Sequence, residues 1–320
     1  MNRRSPLSAT ESAADQALLH LLLSLARIGY DFVTPTQLTH ERVIARRLGD
    51  TAHDLRDALG WSLPFRPHDL PSEIVSLLEA AQVLRSCGNL ARSTIRVSRV
   101  RGLPFIHSAY PPNAADAVFL GPDSYRFAEF IAQELAERTQ LGRVADIGGG
   151  AGVGILTAAA GRSNRRLFLS DVNPRALRFA RVSAAHAGIR IELVEARGAD
   201  ALPDEQDLLL ANPPFIGGDP DQVYQNGGGN LGLQASLEWA EVGVRKLSKG
   251  GRLLLYSGSA IRLGGRDALL QELQALAART DTQLRYREID PDIFGEELEQ
   301  PAYMQAERIA AVGAVLTRPR

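Results

Sequence analysis

Cysteine is nearly absent from this chain. Cys87 is the only one in 320 residues, which excludes an internal disulfide and any cysteine-based zinc site, and fits a reducing cytoplasm. Histidine is also sparse. The six (His20, His40, His53, His68, His107, His186) are scattered without metal-ligand spacing, so no metal is expected. No apolar run approaches the roughly 18 residues of a membrane span. The longest candidate, Ala17–Ala26, follows Glu11 and Asp15 and is interrupted by His20, so it reads as a buried amphipathic helix, neither a leader nor a span. Lysine is limited to Lys246 and Lys249, and the net charge is −1, so the whole chain lacks the basic excess of a general nucleic-acid binder. Apolar content of 45% is ordinary for a globular chain with a sizeable core.

Two regions differ in pattern. Residues 1–108 have helical periodicity over Asp15–Tyr30, Leu38–Leu48, His53–Leu59 and Ser72–Arg85. An alternating stretch then runs from Ser93 to Ser108 and turns at Arg101–Gly102, which predicts a β-hairpin. Helices followed by a hairpin suggest a small, winged-helix-like module for substrate recognition or a lid. Within it, Arg85, Arg92, Arg96, Arg99 and Arg101 occur without an acid between them. This is a candidate phosphate contact, or else a solvated face. Residues 109–320 alternate strands and helices, which predicts a mostly parallel α/β sheet covered on both faces. The short stretch Asn226–Asn230 ("NGGGN") is a candidate lid or hinge.

Two motifs in the second region carry chemistry. In "VADIGGGAGVG" (Val144–Gly154) a strand runs into a helix through Gly148, Gly150 and Gly152. Their missing side chains let the backbone turn sharply and approach a ligand. Asp146 precedes the turn and Asp171 ends the next strand, both where open α/β sheets bind ligands. The turn alone suits a dinucleotide or S-adenosyl-L-methionine equally; an acid before it favours the latter, whose amino group is cationic. The second motif is "NPPF", Asn212 to Phe215, at the end of the strand "DLLLA". The Asn212 side-chain oxygen and the Pro213 carbonyl can both accept hydrogen bonds from one NH₂ group. Pro213 and Pro214 hold the acceptors rigid, and Phe215 offers a flat ring to a planar substrate. Such a corner suits methylation of a planar amino or amide nitrogen.

Together the motifs make residues 109–320 resemble class I S-adenosyl-L-methionine-dependent methyltransferases. The resemblance is narrower to the small-domain amino-methyltransferases of protein glutamine and of rRNA guanine N2. It implies a seven-stranded Rossmann-like sheet with one antiparallel strand. It also implies that Asp146, Gly148 and Gly150, with Gly152 in the same turn, hold the methionine part of the cofactor. Asp171 would hold the ribose hydroxyls and Asp200 the adenine amino group. "FLGPDSYRFAEF" (Phe119–Phe130) matches the segment that reaches the methionine carboxylate, with Ser124 and Tyr125 as its candidates. Glutamine methyltransferases usually carry Tyr at the place of Phe215 and rRNA guanine enzymes more often Phe. The latter also carry a second, degenerate copy of the domain in front, and residues 1–108 have no second glycine turn.

The expected activity is therefore N-methyl transfer to an RNA base or a protein glutamine. The alternatives are a small-molecule methyltransferase with an N-terminal lid, and a silent S-adenosyl-L-methionine- or nucleic-acid-binding module. Charge gives a divided answer. Residues 1–108 carry 13 basic and 10 acidic residues and the remainder nets −4, which puts any nucleic-acid contact on the N-terminal part. The acidic stretch Asp290–Tyr303 would repel phosphate.

Overall fold

A computed structural model describes residues 12–217, 227–228 and 230–320. The elements in chain order are α1 (Ala13–Arg27), α2 (Gln37–Ala45), α3 (Leu55–Leu59), α4 (Ser72–Ala80), β1 (Leu84–Cys87), β2 (Leu90–Ser93), β3 (Ile95–Val100) and β4 (Leu103–Ser108). There follow α5 (Pro122–Glu134), β5 (Gln140–Ile147), α6 (Val153–Ala159), β6 (Ser163–Asp171), α7 (Pro174–His186), β7 (Glu192–Glu195) and β8 (Gln206–Ala211). The chain closes with α8 (Gln234–Lys246), β9 (Leu247–Arg262), β10 (Arg266–Asp267), α9 (Ala268–Arg279), β11 (Gln283–Asp290) and β12 (Ala306–Thr317). It divides into two compact units, one of Met1–Tyr125, Gly150–Leu156 and Asn173–Ile191, the other of Arg126–Gly149, Thr157–Val172 and Glu192–Arg320.

In the first unit, α1 starts where the Ser12 hydroxyl accepts the Asp15 N–H at 3.2 Å. Its Leu18, Leu21, Leu22 and Leu25, at helical spacing, are buried. Next to this stripe Asp15, 4% exposed, is paired by Arg178 and Arg181 of α7. The predicted hairpin forms as β3–β4, turning through Arg101 (φ 47°) and Gly102 (φ 84°), a pairing of left-handed residues that matches strand twist. The helix expected to reach Arg85 stops at Ala80, because Gln82 takes φ 59°, outside helical space. The chain then makes an additional hairpin, β1–β2, turning at Gly88.

The second unit holds the sheet, in the order β11-β12-β9-β8-β5-β6-β7, with β10 paired to the end of β9. The strands β7, β6, β5, β8 and β9 run parallel, and β12 is antiparallel to both its neighbours. The expected seven-stranded path with one antiparallel strand is thus present. On one face, Leu209, Leu253 and Leu255 join Leu269, Leu273 and Leu276 of α9 and Ala240 and Val244 of α8 in one apolar core. Strand order reverses between β5 and β8, so the crevice at their carboxyl ends is the place where such sheets bind ligands.

Candidate functional site

Asp146 lies one residue before the end of β5 and is 1% exposed. The turn after it carries left-handed φ at Gly148 (59°), Gly150 (54°) and Gly152 (88°). The Gly149 N–H donates to the Ser170 carbonyl at 3.0 Å, which pins the turn to β6. A Cβ on Gly149 would stand 2.6 Å from Leu169 and 3.0 Å from an Asp146 carboxylate oxygen, so only glycine keeps that acid in place. A Cβ on Gly148 would strike the Trp239 ring at 2.2 Å. A Cβ on Gly150 would meet nothing within 4 Å, and one on Gly152 would come to 3.4 Å from Ala180.

Asp171 ends β6 half-buried, and its carbonyl accepts the Ala196 N–H at 3.0 Å. The Ser170 hydroxyl donates to the Gly198 carbonyl at 2.9 Å, holding the loop after β7. In that loop the Asp200 side chain is exposed, while its carbonyl accepts from Lys246 Nζ at 3.0 Å. Three carboxylates thus stand at or just beyond the ends of three neighbouring parallel strands, beside a turn where a side chain on Gly148 or Gly149 would collide. This set fits a cationic ligand bearing a ribose diol, as S-adenosyl-L-methionine does.

Asn212 emerges from β8, whose Leu210 and Ala211 register against Asp146 and Ile147 of β5. The Asn212 corner and the glycine turn are therefore brought together on adjacent strands. Asn212 is half-buried, and its amide makes no hydrogen bond among the described residues. Pro213 is buried and Pro214 half-buried behind it. Phe215, 7% exposed, lies over Gly258, where a Cβ would come to 2.4 Å, and meets Tyr256 and Phe294 edge-on with centroids 6.2 and 5.9 Å away. Beyond it the Gly217 N–H donates to the Tyr303 hydroxyl at 2.6 Å. Tyr303 is 1% exposed, and burial pushes its pKa up, so it stays a neutral phenol. Part of "NGGGN", including Asn226 and Gly229, lies outside the described residues.

Sequence reading did not assign Trp239 or Tyr303 to this site. Their only signals were a tryptophan on the helix after "NPPF" and an aromatic in an acidic stretch. That stretch is partly neutralised, since Arg126 pairs with Asp290 at 2.9 Å.

The remaining candidates lie in the first unit. The Ser124 hydroxyl accepts the Gly121 N–H at 3.4 Å in the first turn of α5. The Tyr125 hydroxyl accepts the Thr34 N–H at 2.9 Å, and burial raises its pKa. The arginines of 85–101 do not form one strip. Arg85 and Arg92 face each other across β1–β2. Arg96, 3% exposed, donates to the Ser108 carbonyl at 3.0 Å, and burial lowers its pKa to about 10. Arg99 is exposed on the other face of β3, and Arg101 sits in the turn. Among the described residues no group of His, Cys, Asp and Glu is arranged to hold a metal, and no helix is long and apolar enough to cross a membrane.

Sheet order, glycine turn and strand-end acids define a Rossmann-like class I methyltransferase domain, whose methyl donor is S-adenosyl-L-methionine. The methyltransferase small domain family matches residues 118–277, half of the chain, and the chain belongs to that family. It is similar to the ribosomal RNA small subunit methyltransferase C of Pseudomonas putida, 34% identical over 121 residues that cover 38% of this chain and 33% of that protein. It is also similar to release factor glutamine methyltransferases. That of Neisseria gonorrhoeae is 30% identical over 43% of this chain and 54% of its own length. That of Cereibacter sphaeroides is 29% identical over 68% of this chain and 82% of its own length. The first two matches therefore span about a third and about half of those relatives.

Proposed function

We propose that this protein transfers a methyl group from S-adenosyl-L-methionine to a planar amino or amide nitrogen of a macromolecule, an RNA base or a protein glutamine, in the cytoplasm. The observation that carries this reading is the Asn212 amide, left without a hydrogen-bond partner among the described residues beside the glycine turn. Likeness to proteins named for rRNA and for release-factor glutamine methylation supports the same chemistry.

The cofactor supplies an electrophilic methyl on a sulfonium. The rest is done by the chain. Gly148, Gly150 and Gly152 give the backbone its close approach, and Asp146 faces the cationic methionine part. Asp171 accepts from the ribose hydroxyls and Asp200 from the adenine amino group, and Ser124 and Tyr125 are the candidates for the methionine carboxylate. The Asn212 side-chain oxygen and the Pro213 carbonyl accept both hydrogens of the target NH₂, turning its lone pair out of conjugation and toward the methyl. Pro214 keeps these acceptors from rotating, so little reorganisation is needed at the moment of reaction. Phe215, packed over Gly258, walls the corner beside the substrate plane. No base is required before attack, because the nitrogen loses its proton once it becomes cationic. Residues 1–108 serve substrate recognition or act as a lid.

The test is transfer of radiolabelled methyl to an extract of cells lacking the protein, with products split by RNase, protease and a size filter. Label lost to RNase or to protease is expected. Label confined to the small-molecule fraction would overturn the macromolecular substrate, and no label with intact cofactor binding would leave a silent module.

A further inference from the structure

The first unit contains a cavity of about 420 Å³ that the proposed chemistry does not use. Three of its lining side chains are Arg85, Arg92 and Arg175, and none of its lining residues is acidic. Arg85 and Arg92 stand directly opposite each other on β1 and β2. Like charges so placed repel and weaken a two-stranded ribbon. Neither is relieved by a carboxylate among the described residues. Arg92 uses its Nε on the Ser62 carbonyl at 2.7 Å, which fixes the side chain while leaving its terminal nitrogens to the cavity. Arg175, in the first turn of α7, is held by the Asp116 carboxylate and the Thr94 carbonyl, each at 3.3 Å. Its guanidinium is thereby positioned before any ligand arrives. A fourth cation lies behind the wall. Arg96 is buried without a carboxylate partner among the described residues and is bonded to the carbonyl of Ser108, which lines the cavity. The Tyr110 ring, stacked on His40 with centroids 4.0 Å apart, supplies a flat aromatic side.

An uncompensated like-charge pair, a preset third guanidinium and a fixed ring form a receptor for an anion next to a planar group. We infer that this cavity is a subsite for a phosphodiester of a nucleic-acid substrate, contacted by Arg85, Arg92 and Arg175 and not by a linear strip over 85–101. The inference builds on the proposed methyl transfer and selects nucleic acid over protein as its acceptor. The arginine forks match phosphate oxygens in pairs. The ring offers stacking to the attached base, which a carboxylate side chain of a protein would not use.

The test uses the full chain and a fluorescent single-stranded RNA of mixed sequence, with anisotropy read over a salt series. Removing one phosphate-binding side chain lowers the slope of log affinity against log salt by about 0.7. Arg85→Gln with Arg92→Gln is expected to weaken binding at least about tenfold and to lower that slope by about 1.4, with Arg175→Gln lowering it by about 0.7. Arg99→Gln with Arg101→Gln, outside the cavity, should leave the slope unchanged. An unchanged slope in the first pair, or an equal loss in the second, overturns the subsite. Should the double variant melt early, Arg85→Glu at its exposed position carries the same test, loss being expected and an unchanged slope overturning. Competition by a polyglutamate peptide as strong as that by unlabelled RNA overturns the choice of nucleic acid. Saturable binding of inorganic phosphate without RNA binding does so too. Binding is read without turnover. RNA binding abolished with the arginines, in a chain that transfers no methyl to any fraction, would keep the subsite and sink the transferase reading. Methyl transfer to protein with no RNA binding would do the reverse.

Discussion

The two units bury different things. In the sheet unit the interior is mostly aliphatic, with Leu209, Leu253, Leu255 and Val312 all at or below 1% exposure, and only a few buried hydroxyls such as the Ser236–Ser257 pair (2.8 Å) among them. In the first unit an apolar interior is shared with a larger set of buried polar and charged groups. Thr34, Ser98 and His107 form a buried chain, with Oγ1 to Oγ at 2.6 Å and Oγ to Nε2 at 2.8 Å, while Asp15, His40 and Arg96 are each under 5% exposed. An aliphatic interior is specified by size and tolerates modest change. A polar one is specified by each partner, since a buried group left unbonded costs its full desolvation. Chemistry in the sheet unit therefore rests on a few residues at an edge, detachable from stability, whereas in the first unit polar function and stability share the same side chains.

The largest effect should expose this separation. Asn212→Ala removes an acceptor from the strand edge and touches no core residue. Turnover should fall about 1000-fold, equivalent to about 4 kcal/mol of lost transition-state stabilisation. Cofactor affinity by calorimetry and the melting temperature should not move. A fall in melting temperature matching the lost activity would undo the separation, by making the corner part of the fold.

The counterpart in the first unit is a pH effect on stability. The His40 Nε2–H donates to the Trp61 carbonyl (3.1 Å), and burial, with Arg96 nearby, lowers its pKa to about 4. His107 is shifted down in the same direction by burial. Both are neutral when folded, whereas the unfolded chain binds protons near pH 6.5. The unfolded state thus holds more protons between about pH 6.5 and pH 4, and stability falls as pH drops through that window. His40 alone contributes at most about 3 kcal/mol to the change. Denaturant unfolding at stepped pH should show the fall, and His40→Gln should flatten it. An equal slope in the variant would mean that the acid sensitivity lies elsewhere.

Legibility in the sequence followed the same division. The strands β8 and β9 were readable because "LLLA" and "LLLY" are continuous apolar runs, which central parallel strands require. The glycine turn and the Asn212 corner were readable because each is a contiguous motif at a strand end. The β1–β2 hairpin was not, because "LRSC" and "LARS" are short and half polar and carry no period-2 apolar signal. The cavity arginines looked like a linear run, since only pairing across Gly88 opposes Arg85 to Arg92, and only the fold adds Arg175. The Tyr303–Gly217 bond joins residues 86 apart, a distance no local pattern spans.

A smaller effect sharpens the reading of the strand-end acids. Asp171→Ala should weaken S-adenosyl-L-methionine about 30-fold, which is about 2 kcal/mol for charge-assisted bonds to two hydroxyls. Asp171→Asn should recover part of it, because the amide oxygen still accepts. Unchanged affinity in the alanine variant would remove Asp171 from the ribose role and leave it as the end of a strand.

The smallest effect tests whether the sheet unit is as detachable as it looks. Among the described residues, Tyr303 is the phenol whose hydroxyl holds the chain just after the Asn212 corner, and the Gly217 N–H it accepts is buried. Tyr303→Phe keeps the ring and its packing but strands that N–H, a cost of about 1 kcal/mol. If the bond only stabilises, the melting temperature falls and turnover per folded molecule stays. If it also sets the angle of the corner, turnover falls about fivefold with cofactor affinity unchanged, since loosening acceptors that must already be aimed raises the barrier and not the binding energy. The second outcome is expected, because the bond sits two residues from Phe215, whose ring has no free volume to absorb a shift over Gly258. The corner would then depend on a buried polar contact for its orientation, as the first unit depends on such contacts for its stability.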